Sequence, residues 1–167
     1  MEREREISFL LNGHPVSCRA AARTHLGDLL RTEFGFTGVH IGCEHGVCGA
    51  CTILVDGRAI RSCLMLAVQA DGAVVETIEG LTESGRIADL QEAFHERNAL
   101  QCGYCTPGML ATASELLAEN EAPSREAIRE AISGNYCRCT GYHAIVDAIA
   151  TTAEARRKGD AGWEAAT

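Results

Sequence analysis

No run of apolar residues in this chain approaches the roughly 18 that a membrane-spanning helix requires, so no span is expected. The amino-terminal stretch MEREREISFLLNGH alternates charges around a short apolar patch of Ile7, Phe9, Leu10 and Leu11, too short and too acidic for a secretory signal. Clustered Lys and Arg are scarce as well. The one basic cluster, Arg156-Arg157-Lys158, falls at the end of a predicted helix, where cations complement the helix dipole. With a net charge of -8, the composition argues against electrostatic nucleic-acid binding and against a polybasic membrane-surface protein. Also missing are a phosphate loop, a dinucleotide fingerprint, an evident nucleophile–base pair and an internal repeat. These absences leave a cytoplasmic chain as the expectation, with no hydrolytic or hydride-transfer chemistry of its own.

What is abundant is cysteine. Of 167 residues, nine are Cys: 18, 43, 48, 51, 63, 102, 105, 137 and 139. A reducing compartment does not sustain structural disulfides, so such spacings point to metal or redox chemistry. Cys18 stands apart, and its expected role is that of a small hydrophobe in a strand. Eight remain, in two sets of four.

The hydrophobic pattern changes period along the chain. EISFLLNGHPVSCRAA offers two extended runs about a turn at Asn12 to Pro15, and CTILVDGRAIRSC a second hairpin turning at Asp56-Gly57. Between them Leu26, Leu29, Leu30 and Phe34 recur at helical spacing up to Gly35, and AVVETI supplies one more strand. After residues 79 to 85 the period is helical throughout. Four helices are predicted: the first around Ile87 to Phe94, the second around Met109 to Leu117 with Thr106 as N-cap, the third started by Ser124 and closed by Gly134 in the C-terminal position that glycine favours, and the fourth from Tyr142 to Ile149. The fold class is therefore α+β, a small mixed sheet on a helix (residues 1–80) followed by a helical domain (residues 81–167). Domains of that size commonly need ties beyond a hydrophobic core.

Cys43-x4-Cys48-x2-Cys51, with Cys63 further on, is the plant-type ferredoxin spacing of a 2Fe-2S cluster. Gly42, Gly46 and Gly49 permit the positive φ and close backbone approach that such a loop needs. A Rieske centre would call for a Cys-x-x-His, which the chain lacks, and His45 reads as a polar loop residue. Four thiolates also suit zinc, but three within nine residues crowd its usual paired spacing.

Cys102-Gly-Tyr-Cys105 alone resembles a thioredoxin-like redox pair ahead of a helix. That reading leaves Cys137 and Cys139 unused. In an up-down bundle the starts of the second and fourth helices share one end, which brings both pairs together at two positive dipole ends. A second metal centre follows, although spacing does not fix its identity.

GCEHGVCGACTILVDG, RSCL, TIEGL, QCGYCTPGML and GNYCRCTGY, in that order, resemble the small iron–sulfur subunit of the xanthine oxidase (molybdenum hydroxylase) family over residues 5–155. The resemblance implies a plant-ferredoxin-like β-grasp domain followed by a four-helix bundle, each with a 2Fe-2S cluster. It implies Cys43, Cys48, Cys51 and Cys63 as ligands of the first, and Cys102, Cys105, Cys137 and Cys139 of the second. It places Gln101 and Cys139 beside the pterin of a molybdenum cofactor, against the plainer reading of Gln101 as a loop-fixing hydrogen bonder. It further implies a large molybdenum-pterin subunit, a medium FAD subunit and a dimer of heterotrimers, with Tyr104 and Tyr142 suited to an interface. A free-standing two-cluster ferredoxin and a zinc-stabilised interaction module are the alternatives.

Overall fold

The computed structural model describes residues 4–159. Strands β1 (Glu4–Leu11) and β2 (His14–Ala21) form a hairpin whose two-residue turn, Asn12-Gly13, takes φ of 51° and 82°. Such primed turns match the twist of the strands they join. Pro15, expected in the turn, lies in β2 opposite Leu10; β2 is an edge strand, where the missing N–H costs no ladder bond. Helix α1 (Leu26–Thr32) follows, then strands β3 (Thr52–Val55), β4 (Arg58–Arg61) and β5 (Val74–Glu76). The sheet order is β2-β1-β5-β3-β4, with β1 and β5 parallel and all other pairs antiparallel. Period-2 alternation sends Ile7, Phe9 and Leu11 onto Leu26, Leu29 and Leu30 of α1, and Phe34 stands edge-on to Phe9 at 5.8 Å. Cys18 sits half-buried on β2 against this core.

Five helices follow: α2 (Ile78–Glu83), α3 (Ala88–Glu96), α4 (Thr106–Glu119), α5 (Arg125–Ala131) and α6 (His143–Lys158). The short α2 occupies the stretch read from sequence as a boundary. Their apolar faces share a second core in which α6 packs on α3 and α5, and α4 on α2 and α5. Ser124 caps α5 as expected, its side chain accepting from the Ala127 N–H at 3.1 Å. Two other expected caps differ. Thr106 is the first residue of α4 rather than its cap, because Cys105 already accepts the first helical bond from Met109 N–H at 3.0 Å. Gly134 ends a 3-10 turn (Ile132–Gly134) without a positive φ; its missing side chain instead leaves room for the Arg61 guanidinium, 2.5 Å from where a Cβ would stand.

β3 is buried on both faces. Ile53 and Val55 enter the sheet core while Leu54 enters the helical one, and α4 packs directly against the strand. Side chains of this size contribute roughly 1.5–3 kcal/mol each on burial. Gly108 lets α4 approach so closely that a Cβ there would come within 2.3 Å of the Gly49 carbonyl. The sheet and the helices thus meet at the loop that carries the first cysteines.

Candidate metal centres

Cys43, Cys48 and Cys51 lie on an irregular loop between α1 and β3, and Cys63 stands two residues beyond β4. The β3–β4 hairpin returns Cys63 to the loop. Ser62 ties the two ends together, its hydroxyl and amide both donating to the Cys51 carbonyl at 2.8 and 3.3 Å. Gly46 and Gly49 take positive φ of 80° and 73°; Gly42 does not, and its role is close approach, since a Cβ would lie 3.1 Å from Cys48 Sγ. Cys48 N–H donates to Cys43 Sγ at 3.4 Å, and the His45 ring hydrogen-bonds the Cys43 carbonyl. The Cys48 and His45 backbone donors pull the Cys43 thiol down to about 6, while burial pushes Cys63 up to about 11.

The second set comes from two loops. Cys102 and Cys105 precede α4, and Cys137 and Cys139 precede α6. The fold brings these starts together, as expected. Cys105 and Cys137 come near enough for each thiol to perturb the other, and the Gln101 amide donates to the Cys139 carbonyl at 3.0 Å. Burial raises the Cys105 thiol to about 12. Burial also raises Cys137, but donors from Thr140 outweigh it and the thiol is lowered. Cys102, Cys139 and Gln101 are exposed, so this centre opens to the surface on the Gln101 side. Tyr142 is only half-buried and turns inward, its hydroxyl accepting from Cys137 N–H at 2.9 Å.

A polar seam that spacing gave no sign of joins the two sets. Asn135, 1% exposed, donates to the Gly49 carbonyl at 3.0 Å and to Thr52 Oγ1 at 3.2 Å, and accepts from Thr112 Oγ1 at 3.1 Å. Arg61 donates to Thr52 Oγ1 at 2.7 Å and to the Gly134 carbonyl at 2.8 Å. Beside them Tyr136 N–H donates to the Cys48 carbonyl at 2.8 Å, linking the residue before Cys137 to a cysteine of the other set. Tyr104 closes the second side: its ring stacks on His40 at 4.6 Å and its hydroxyl donates to the Ile41 carbonyl at 2.8 Å.

Among the described residues no three His, Cys, Asp or Glu side chains converge on one point as a single bound ion demands. Within each set the thiols lie near enough to perturb one another, Cys48 with Cys43 and Cys51, Cys63 with Cys51 and Cys43, and Cys105 with Cys137 and Cys102. A two-iron cluster asks for four thiolates, two to each iron. The fit extends to a donor: the hydroxyl of Thr106, next to Cys105, is buried with no partner, and a sulfur-rich group at that helix start offers it acceptors. Thiols raised to about 11 and 12 need positive charge nearby to become thiolates, which iron supplies.

Comparison with known proteins agrees with this chemistry. Residues 9–77 match the family described as a 2Fe-2S iron-sulfur cluster binding domain, and residues 77–150 match a [2Fe-2S] binding domain. Two such families in tandem define an iron–sulfur protein with two 2Fe-2S clusters. The chain is 53% identical over 144 residues to the nicotine 6-hydroxylase small subunit of Paenarthrobacter nicotinovorans, covering 86% of this chain and 87% of that protein. It is 53% identical over 146 residues to caffeine dehydrogenase subunit gamma of Pseudomonas sp. strain CBB1, again covering 86% and 87%. The solved quinoline 2-oxidoreductase from Pseudomonas putida 86 aligns with a TM-score of 0.87 at 55% identity, over 93% of this chain and 98% of that one. The chain belongs to the small iron–sulfur subunits of the xanthine oxidase family of molybdenum hydroxylases, and is thereby a subunit of an oxidoreductase.

Proposed function

We propose that this chain relays electrons from a molybdenum–pterin centre on a large partner subunit, first through the helical cluster and then through the ferredoxin-like one, to FAD on a medium subunit. The observation that carries the reading is the hydrogen bond from Tyr136 N–H to the Cys48 carbonyl, which leaves one shared backbone contact between the two cysteine sets. Cys43, Cys48, Cys51 and Cys63 hold one cluster, and Cys102, Cys105, Cys137 and Cys139 the other; when bound, each accepts and passes on one electron at a time. The seam of Asn135 and Arg61 fixes the two loops against each other, so that the separation of the centres is set by the fold. Exposed Gln101 and Cys139 form the edge that faces the pterin, the Gln101 amide holding the Cys139 loop in place.

In this reading the ferredoxin-like domain is residues 1–80 and the helical domain residues 81–167, with α3, α4, α5 and α6 as a four-helix bundle. The assembly is a cytoplasmic dimer of heterotrimers; no helix among the described residues is long and apolar enough to cross a membrane. Nicotine, caffeine and quinoline in the names of the relatives point to a nitrogen heterocycle as the substrate, bound on the large subunit. Metal analysis and low-temperature EPR of the natively isolated, dithionite-reduced protein test the relay. About four irons per chain with two distinct 2Fe-2S signals, and molybdenum and flavin in the co-purifying material, are expected. Two clusters without any molybdenum or flavin partner would favour a free-standing ferredoxin, and zinc without a reduced-cluster signal would make the cysteines structural.

A further inference from the structure

Cys137 is the one cysteine of the eight whose sulfur receives a side-chain hydroxyl bond among the described residues. Thr140 Oγ1 donates to Cys137 Sγ at 3.1 Å, and the Thr140 amide donates to the same sulfur at 3.4 Å. In the ferredoxin-like set the comparable contact, Cys48 N–H to Cys43 Sγ, comes from backbone alone.

The direction of the Thr140 proton is fixed by its neighbours. A hydroxyl has one proton and can accept as well as donate. Tyr142 N–H donates to Thr140 Oγ1 at 3.2 Å, which uses a lone pair of the oxygen and leaves the proton for the sulfur. Tyr142 reaches this position by taking a left-handed backbone, φ 68°, directly after Gly141 at φ 65°. For a residue with a side chain that conformation is strained. The strain is held by a return bond, Cys137 N–H to the Tyr142 hydroxyl at 2.9 Å. Cys137, Thr140 and Tyr142 therefore form a closed circuit, one link of which is the hydrogen bond to sulfur.

Reduction of a 2Fe-2S cluster by one electron converts one iron(III) to iron(II) and adds one negative charge, part of which falls on the ligating sulfurs. A fixed donor to such a sulfur stabilises the reduced state more than the oxidised one, and hydrogen bonds to sulfur are among the determinants of cluster potential. We propose that Thr140 is a positioning residue that raises the reduction potential of the helical cluster, acting through its hydroxyl bond to Cys137. This rests on the reading of Cys137 as a ligand of that cluster.

The test is an EPR-monitored redox titration of the intact complex, with dithionite as reductant, on wild type, T140V and T140S. Two 2Fe-2S signals in wild type establish the underlying reading first; their absence would sink that reading, whatever Thr140 does. T140V is expected to lower the midpoint of the helical cluster so that its reduced-to-oxidised ratio at a fixed potential falls about tenfold, equivalent to about 59 mV for one electron. T140S is expected to restore the wild-type value, and the ferredoxin-like cluster is expected to be unmoved in both. An unshifted helical midpoint in T140V with both signals intact overturns the proposal. Should T140V lose the helical signal, T140A replaces it under the same criterion, and loss in both with retention in T140S would make the hydroxyl a structural tie and overturn the tuning role.

Discussion

The two cysteine sets solve the same chemical problem in opposite ways. The first is local: three cysteines on one loop, with the fourth returned to that loop by the β3–β4 hairpin, so that short-range backbone geometry sets their neighbourhood. The second is tertiary, assembled only when α4 and α6 bring their starts together across thirty intervening residues. The local set buries half its sulfurs, Cys51 and Cys63, beneath the hairpin; the tertiary set leaves Cys102 and Cys139 exposed beside Gln101. A local site can be read from spacing. A tertiary site depends on helix packing, and its open side is free to meet a partner.

Losing one proposed ligand is the harshest way to break this comparison. C48S is expected to abolish the ferredoxin-like EPR signal and leave the helical signal in place, because the helical set keeps all four of its proposed ligands. C137S is expected to do the reverse and to stop flavin reduction by substrate in the holoenzyme; normal flavin reduction would contradict the order proposed for the relay. Loss of both signals in either variant, with the fold intact by circular dichroism, would show that the sites are not independent.

A milder break goes through the seam. N135A leaves the Thr112 hydroxyl without its buried acceptor, an unsatisfied group that costs about 1–3 kcal/mol, while the Gly49 carbonyl keeps the Thr52 hydroxyl and amide as donors. A loss of roughly 1–3 kcal/mol in denaturant unfolding is expected. If the seam is what couples the sets, unfolding monitored by the visible absorption of the clusters should lose its single transition in this variant. A change within a few tenths of a kcal/mol would mean that α4 on β3 holds the sets together without Asn135.

The same contrast explains how much was legible in the sequence. The Cys43 to Cys63 loop, both hairpin turns and the periodic helices are written in short-range pattern, and the structure carries each of them. Thr106 misled as a cap because a threonine before proline has the composition of an N-cap, while Cys105 in fact supplies the first helical acceptor. Gly134 misled for a related reason: glycine after a helix suggests a left-handed cap, yet here its missing side chain makes room for Arg61. Asn135, Arg61 and the Thr140–Tyr142 circuit have no spacing rule at all. Their partners lie up to 86 residues away, as Asn135 and Gly49 do, or depend on a left-handed turn whose residue is a tyrosine.

The smallest expected effect sharpens the helical half alone. Arg156, read from sequence as a cation at a helix end, grips Asp89 of α3 with two bonds, Nε to Oδ2 at 2.7 Å and Nη2 to Oδ1 at 2.8 Å. Burial pushes the Asp89 carboxyl up, but the guanidinium outweighs it and holds the group below the ordinary carboxylate range. A carboxylate with a depressed folded-state pKa stabilises the fold above its unfolded value, near 3.9, and that contribution is lost as pH falls through the folded value. D89N should therefore cost about 1–2 kcal/mol at pH 7, the worth of a partly buried charge-assisted pair. The gap between wild type and D89N in denaturant unfolding should stay constant from pH 8 to about 5 and close only below about 4. Both proteins hold the same clusters, so the acid sensitivity of the clusters cancels in the difference. A gap that opened as pH fell would mean that Asp89 is paired through its protonated form, and a missing gap at pH 7 would assign the docking of α6 on α3 to apolar contact alone.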